Sequence, residues 1–210
     1  MPRLSYVVAV SALISVCTLT AAAQSISLPA PQTTGGKPLM QALAERKTTR
    51  SFRDQALPMQ TLSNLLWAAF GVNRPRDLKP GLGRTAPSAM NKQEVALYVV
   101  LANGVYVYDA EANSLKSVVE ADARAKVGSG DAAHAAATIV YVAPANNDYA
   151  QVDVGFIGQN VYLFAASEGL NAWFYALHGA QDAAAVAGAL HLPADKRPLY
   201  AQSVGYPLAK

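Results

Sequence analysis

Residues 95–109 read VALYVVLA, NG, VYVYD: two apolar, β-branched and aromatic runs, Val95 to Ala102 and Val105 to Asp109, joined by Asn103-Gly104. Asn-Gly accepts the positive φ angles of a tight two-residue turn, so the stretch predicts a β-hairpin. Downstream, Ala136 to Ala143 is a continuous apolar run closed by Pro144, as expected of a strand buried on both faces. Leu199 to Gly205 reads as a final strand. Between these strands the pattern is helical. Val152 to Leu170 is apolar on nearly every side, with Asp153 near its start and Gly169 near its end, which predicts a core helix. Asp182 to Leu190 is a further helix.

Upstream of the hairpin, Pro58 opens a helix in which Leu62, Leu65, Leu66, Ala69 and Phe70 share one face, and Gly71 stops it. An earlier helix starts at Lys37, with Leu39, Met40, Leu43 and Ala44 on one face. Residues 72–91 read as a long polar loop, and a short helix is expected around Ser117 to Lys126. The fold class is therefore α+β, with residues 37–210 forming one domain and residues 24–36 a flexible leader punctuated by Pro29, Pro31 and Gly35-Gly36.

The N-terminus reads as an address. Arg3 precedes an apolar run from Leu4 to Leu19, and Thr20-Ala21-Ala22-Ala23 is a small-residue cleavage site, so residues 1–23 predict a secretory signal peptide and a periplasmic or secreted protein. An uncleaved membrane anchor is the other reading of the run. A lipoprotein would need a small residue before Cys17, where Val16 stands. Cleavage would remove Cys17, the only cysteine, and with it any thiol nucleophile or disulfide. It would also leave 16 Lys and Arg against 14 Asp and Glu, scattered along the chain, which argues against a polynucleotide partner.

His134, His178 and His191 show no i, i+4 pairing, which argues against a metal site. The chain contains no G-x-S-x-G elbow, no phosphate-loop Gly-Lys-Ser/Thr and no G-x-G-x-x-G after a strand. No catalytic acid, base or nucleophile is therefore assigned, and an organic cofactor best explains the polar segments that remain.

Four segments are candidates. Thr48-Thr49-Arg50-Ser51-Phe52-Arg53 places Ser51 and Arg53 on one side of an extended stretch, suited to gripping a phosphate, or is a solvated basic turn. Residues 83–93 offer Ser88, Asn91 and Gln93 to the edge of a planar ligand, or form an ordinary loop. Gln159-Asn160 sits inside the long apolar helix as a structural cross-link or part of a site. Asn171 to His178 is an aromatic-rich exit from that helix, core or platform.

Taken together the segments resemble a known family. Arg50-Ser51-Phe52-Arg53, Leu57-Pro58 and Leu65-Leu66-Trp67-Ala68-Ala69-Phe70-Gly71 are similar to the opening of the FMN-dependent nitroreductases, especially the thiazoline and oxazoline dehydrogenases that mature modified peptides. The similarity continues through Arg84 to Ala89, Gly104 to Asp109, Asp153-Val154-Gly155, Gln159-Asn160, Gly169-Leu170 and Val204-Gly205-Tyr206-Pro207, covering about residues 45–208.

The resemblance implies an antiparallel sheet flanked by helices and an intertwined homodimer with two FMN molecules in the interface. It assigns Ser51 and Arg53, with Arg50 beside the non-basic Thr49, to the FMN phosphate and ribityl chain. Pro87, Ser88, Ala89 and Asn91 would reach FMN from the partner subunit. Tyr175, Ala176 and Leu177 would run under the flavin and give a backbone N–H to N5, although the family's Pro-Ile-Gly/Glu-Gly is absent there. Lys210 would complete the phosphate site. The implied activity is hydride transfer through flavin N5 by a ping-pong mechanism, with NAD(P)H a candidate donor for a protein that acquires FMN after export. A non-catalytic flavin or planar-ligand binding protein on the same fold is the alternative, and a purely structural exported domain is a third.

Overall fold

The computed structural model describes residues 25–74, 83–177 and 183–209. The expected hairpin is present as β4 (Ala96–Leu101) and β5 (Gly104–Asp109), with Tyr98 opposite Val107 and Leu101 opposite Gly104. Gly104 has a φ of 155°, and a Cβ there would stand 2.7 Å from the Val119 carbonyl oxygen, so only glycine fits the turn.

The sheet grows outward from this pair. On one side lie β6 (Ser114–Val119) and β1 (Ser25–Ser27); on the other lie β7 (Ala137–Pro144), β9 (Lys196–Gly205) and β8 (Asn171–Ala176). The order is β1-β6-β5-β4-β7-β9-β8, antiparallel throughout. The architecture is the expected antiparallel sheet flanked by helices, but the sheet has seven strands where the sequence pattern indicated four. Ser114 to Val119, partly expected as helix, is β6, and the helix there is only α3 (Arg124–Val127). Residues 25–27, read within a flexible leader, form β1, and Leu28 is buried behind it.

Helices α2 (Met59–Phe70) and α4 (Ala150–Glu168) cover one face of the sheet, packing Leu65, Leu66, Ile157 and Val161 against Leu97, Val99, Ile139 and Tyr141. The opposite face carries Tyr98, Val100, Val140 and Val142 and is covered by α3 and α5 (Ala183–Ala189), with Val127, Val186 and Leu190. The alternation along β4 and β7 thus buries both sides, as the unbroken apolar run of β7 predicts.

α1 (Leu39–Glu45) lies against α4 through Ala42, while Leu39, Met40 and Leu43, expected on a packing face, are exposed. α4 also departs from expectation. Val154, Ile157, Val161 and Ala165 are buried, but Val152, Gly155, Phe156 and Gln159 line an exposed face. An all-round apolar helix needs apolar neighbours on every side, and among the described residues the sheet, α1 and α2 leave this face uncovered. No helix among the described residues is long and apolar enough to cross a membrane.

The stretch from residue 72, expected as an uninterrupted loop, contains the two-stranded ribbon of β2 (Val72–Arg74) and β3 (Gly83–Arg84). A single 3-10 turn follows at Ala89–Asn91.

Candidate functional site

The arginine segment is docked through its backbone. Thr49 N–H donates to the Ala172 carbonyl at 2.9 Å, and Arg53 N–H donates to the Tyr206 carbonyl at 3.0 Å. Asn171 Nδ2 donates to the Ser51 carbonyl at 2.7 Å. Thr49 Oγ1 accepts from the Ala172 N–H at 3.1 Å, so the hydroxyl at the non-basic position serves the strand. Phe52 turns inward onto Ala132, Ala135 and Trp173, between half-buried Ser51 and exposed Arg53, as an extended alternation requires.

The two guanidinium groups rest on rings. Arg50 lies over Trp173 at 5.4 Å and Arg53 over Tyr206 at 5.5 Å. Neither pairs with a carboxylate among the described residues. Two exposed guanidinium groups seated on rings can donate charge-assisted hydrogen bonds to an anion.

Asn171 to Ala176, read as a helix exit, is the edge strand β8. Its Phe174 N–H donates away from β9 to Tyr162 Oη at 2.9 Å, and Tyr162 Oη meets Thr48 Oγ1 at 2.9 Å. Strand alternation sends the Ala176 N–H to the same open edge, whereas Leu177 N–H donates across to Leu199 O at 3.5 Å. Of the three residues expected to address N5, only Ala176 therefore turns its N–H to the edge. The Tyr175 and Leu177 side chains point into the sheet's other face. Tyr175 Oη reaches Ser203 Oγ at 3.2 Å, and Ser203 Oγ reaches Thr138 Oγ1 at 2.9 Å. Burial raises the pKa of the Tyr175 phenol and keeps it protonated.

The second predicted segment, residues 84–93, is a self-supporting loop. Arg84 lies over Phe70 at 5.0 Å and donates to Gln93 Oε1 at 2.7 Å and Phe70 O at 3.1 Å. Desolvation lowers the pKa of its guanidinium. Thr85 Oγ1 donates to Trp67 O at 3.0 Å, Gln93 N–H to Ser88 Oγ at 3.1 Å, and Gln93 Nε2 to Asn91 Oδ1 at 2.8 Å. Met90, Asn91 and Gln93 have φ of 51°, 54° and 54°, a concentration of left-handed backbone that only such bracing sustains.

Asp153, 2% exposed in the first turn of α4, accepts the Ala89 N–H at 2.9 Å. Of the two amides in α4, Asn160 donates to Thr85 O at 3.3 Å and is a structural tie, while Gln159 is exposed. Pro87, Ser88 and Asn91 line a cavity of about 380 Å³ with Arg74 and Arg84.

No hydrogen bond among the described residues joins the arginine segment to this loop. A separate cavity of about 520 Å³ opens beside the segment, lined by Lys37, Lys47, Thr49, Tyr162 and Asn171. Lys210, His178 and the signal peptide lie outside the described residues. Sequence reasoning missed the seats at Trp173 and Tyr206, the Asp153 brace, and a buried Arg124 that pairs with Asp54. Only Asp153 carried a signal, as an acid at a helix start.

Residues 43–206 match the sequence model of the nitroreductase family. The chain belongs to the nitroreductase family. It is therefore related to oxidoreductases, and its fold agrees with solved members. A nitroreductase-family protein of Ralstonia eutropha JMP134 is 33% identical, with a TM-score of 0.80 over 96% of this chain and 98% of that one. A nitroreductase-family relative from Methanocaldococcus jannaschii is 30% identical over 151 residues, 63% of this chain and 75% of the relative. An FMN-dependent nitroreductase of Clostridium difficile R20291 shares the fold at 18% identity, with a TM-score of 0.57 over 81% of this chain and 88% of that one.

Proposed function

We propose that the protein is an FMN-dependent oxidoreductase of the nitroreductase family, acting as an exported homodimer. The observation that carries the reading is the pair of aromatic-seated guanidinium groups, Arg50 and Arg53, with no carboxylate partner among the described residues. Such a pair fits the FMN phosphate, with Ser51 beside it and Lys210 following the last strand. The Ala176 N–H, turned to the sheet edge, would serve the flavin ring when it is bound. The partner's copy of Pro87, Ser88, Ala89 and Asn91 would close the site.

The exposed face of α4 supports the dimer. Val152 (58% exposed), Gly155, Phe156 (45%) and Gln159 follow the i, i+3, i+4, i+7 spacing of a packing face. Tyr149 and Met90, both exposed, extend the patch past the loop braced by Asp153. FMN, when bound, supplies hydride acceptance and return at N5, which lets a reductant such as NAD(P)H and a substrate use the site in turn. The chain's own residues hold the anionic tail, present a donor to the ring and exclude water at the interface. Among the motifs, Leu65 to Gly71 and Gly104 to Asp109 support a place near the thiazoline and oxazoline dehydrogenases. The apolar run at residues 4–19 supports export.

The purified protein should be yellow, dimeric by sedimentation, and bleached by NAD(P)H or dithionite. Colourless monomer after incubation with FMN would defeat the proposal. A non-catalytic flavin or planar-ligand binding protein is the second reading, favoured by the non-basic Thr49, whose hydroxyl accepts from the Ala172 N–H. Colour that persists with each physiological donor tried but is lost with dithionite would select it.

A further inference from the structure

Asp54 follows directly on the arginine segment and is anchored by a residue far away in sequence. Arg124, at the start of α3, is only 8% exposed and donates Nη1 to Asp54 Oδ1 at 3.0 Å. Its Nη2 donates to Asp122 Oδ2 at 2.9 Å and its Nε to Asp122 Oδ1 at 3.1 Å. A further bond runs from Nη1 to the Ala135 carbonyl at 3.3 Å.

Ala135 also belongs to the cluster that receives Phe52, so the ion pair and the buried ring fix the same short stretch onto the 3-10 turn Gly130–His134 and its C-cap Ala135. His134 Nδ1 stands 3.8 Å from the second Asp54 oxygen. Arg50 and Arg53 flank Phe52, and their rings of rest, Trp173 and Tyr206, fix the guanidinium ends but not the backbone between them. The backbone at Ser51 and Arg53 is held on one side by Asn171 and Tyr206 and on the other by Phe52 and Asp54. Asp54 with Arg124 is the charged part of that second anchorage.

We infer that Arg124 is a positioning residue for the anion-binding segment, acting through Asp54 to hold Arg50, Ser51 and Arg53 in register for a phosphate. This inference rests on the FMN reading above. It makes a counter-intuitive demand. Asp54 is a negative charge next to an anion site, so by charge alone its removal should strengthen phosphate binding. As part of the clamp, its removal should weaken it, because a fork of donors loses strength when misaimed by a fraction of an ångström.

The sign of one measurement separates the two. Apo-protein is titrated with FMN and with riboflavin, which has the same ring and no phosphate, and the ratio of the two dissociation constants is taken for wild type, Asp54→Asn, Asp54→Glu and Arg124→Lys. In wild type FMN should bind about 100-fold more tightly than riboflavin. Asp54→Asn and Arg124→Lys should cut that ratio to about tenfold, leaving riboflavin affinity within about twofold, and Asp54→Glu should restore most of it. Retained riboflavin affinity shows that the fold and the ring site survive. A ratio in Asp54→Asn equal to or above that of wild type would overturn the clamp while leaving the phosphate reading intact. Equal loss of both ligands would reduce Arg124 to a general structural role and overturn the clamp as well. Wild type that binds FMN no better than riboflavin would remove the phosphate reading, and the clamp with it.

Discussion

The arginine segment at residues 48–53 is supported mainly through its main chain, from Ala172, Asn171 and Tyr206, and leaves the charged ends of Arg50 and Arg53 outward on aromatic rings. The loop at 84–93 does the reverse. Its Arg84, Thr85, Ser88, Asn91 and Gln93 side chains bond to one another, to the loop's own backbone or to α2, and a buried carboxylate from α4 holds its backbone. Because the backbone is held and the Arg50 and Arg53 ends lie outward, substitutions at those two positions should alter ligand binding more than stability, whereas the buried Phe52 ring is itself an anchor. In the loop the side chains make the shape, and substitution should disturb both.

The contrast is most exposed to the proposal that the two segments meet only across a dimer. Phe156→Glu places a charge on the exposed apolar face of α4 and should convert dimer to monomer, with flavin lost from the purified protein; sedimentation velocity and the visible absorbance report both. A dimeric, yellow variant would break the comparison at its base. Next in size, Arg50→Ala with Arg53→Ala should weaken FMN by at least about 100-fold, since two charge-assisted contacts of about 1.5–3 kcal/mol each are lost, while the melting temperature of the apo-protein moves by less than about 3 °C.

Asp153→Ala should do what the arginine changes do not. It strips the acceptor from the Ala89 N–H and should lower stability by about 1–3 kcal/mol in a urea titration, with weakened FMN as a second effect. Met90→Gly goes the other way: relief of its left-handed backbone should raise stability by about 1 kcal/mol.

The smallest effect concerns acid. The hydrogen bonds from Arg124 hold the Asp122 carboxyl below its ordinary value. A carboxylate depressed in the folded state contributes stability that is complete above its unfolded pKa and is lost as pH falls through the folded one. The urea midpoint should therefore be level between about pH 5 and 7 and decline below about pH 4, and Asp122→Asn should make that decline slightly shallower; the gain is small because Asp122 is half exposed.

Much of this was legible along the chain. Asn103-Gly104 between alternating runs announced the hairpin, and Pro58 with Gly71 bounded α2 within a residue or two. Ser114 to Val119 was obscured because Lys116 and the serines weaken an apolar pattern that becomes plain only when Tyr106 and Tyr108 lie beside it. The α4 stripe was misread for a related reason: periodicity shows that a helix is apolar on two sides, and only the packed sheet shows which side one chain leaves open. Arg50 to Arg53 stood out as a cationic cluster. Its seats did not, since Trp173 and Tyr206 lie more than a hundred residues further on, the first in a stretch readable as core or platform and the second in a motif that names no cation partner. Arg124 and Asp54, about seventy positions apart, carried no local sign of their pairing.

The short strand at Ser25–Ser27 has a practical corollary for anyone producing the protein. Trimming to Lys37, the apparent start of the globular part, would uncover the outer rim of β6 and leave a row of unsatisfied amides open to edge-to-edge association between molecules. It would also withdraw the Pro29 carbonyl that accepts from the fully buried Ser63 hydroxyl at 2.6 Å. Recombinant versions should keep every residue from Ser25 onward.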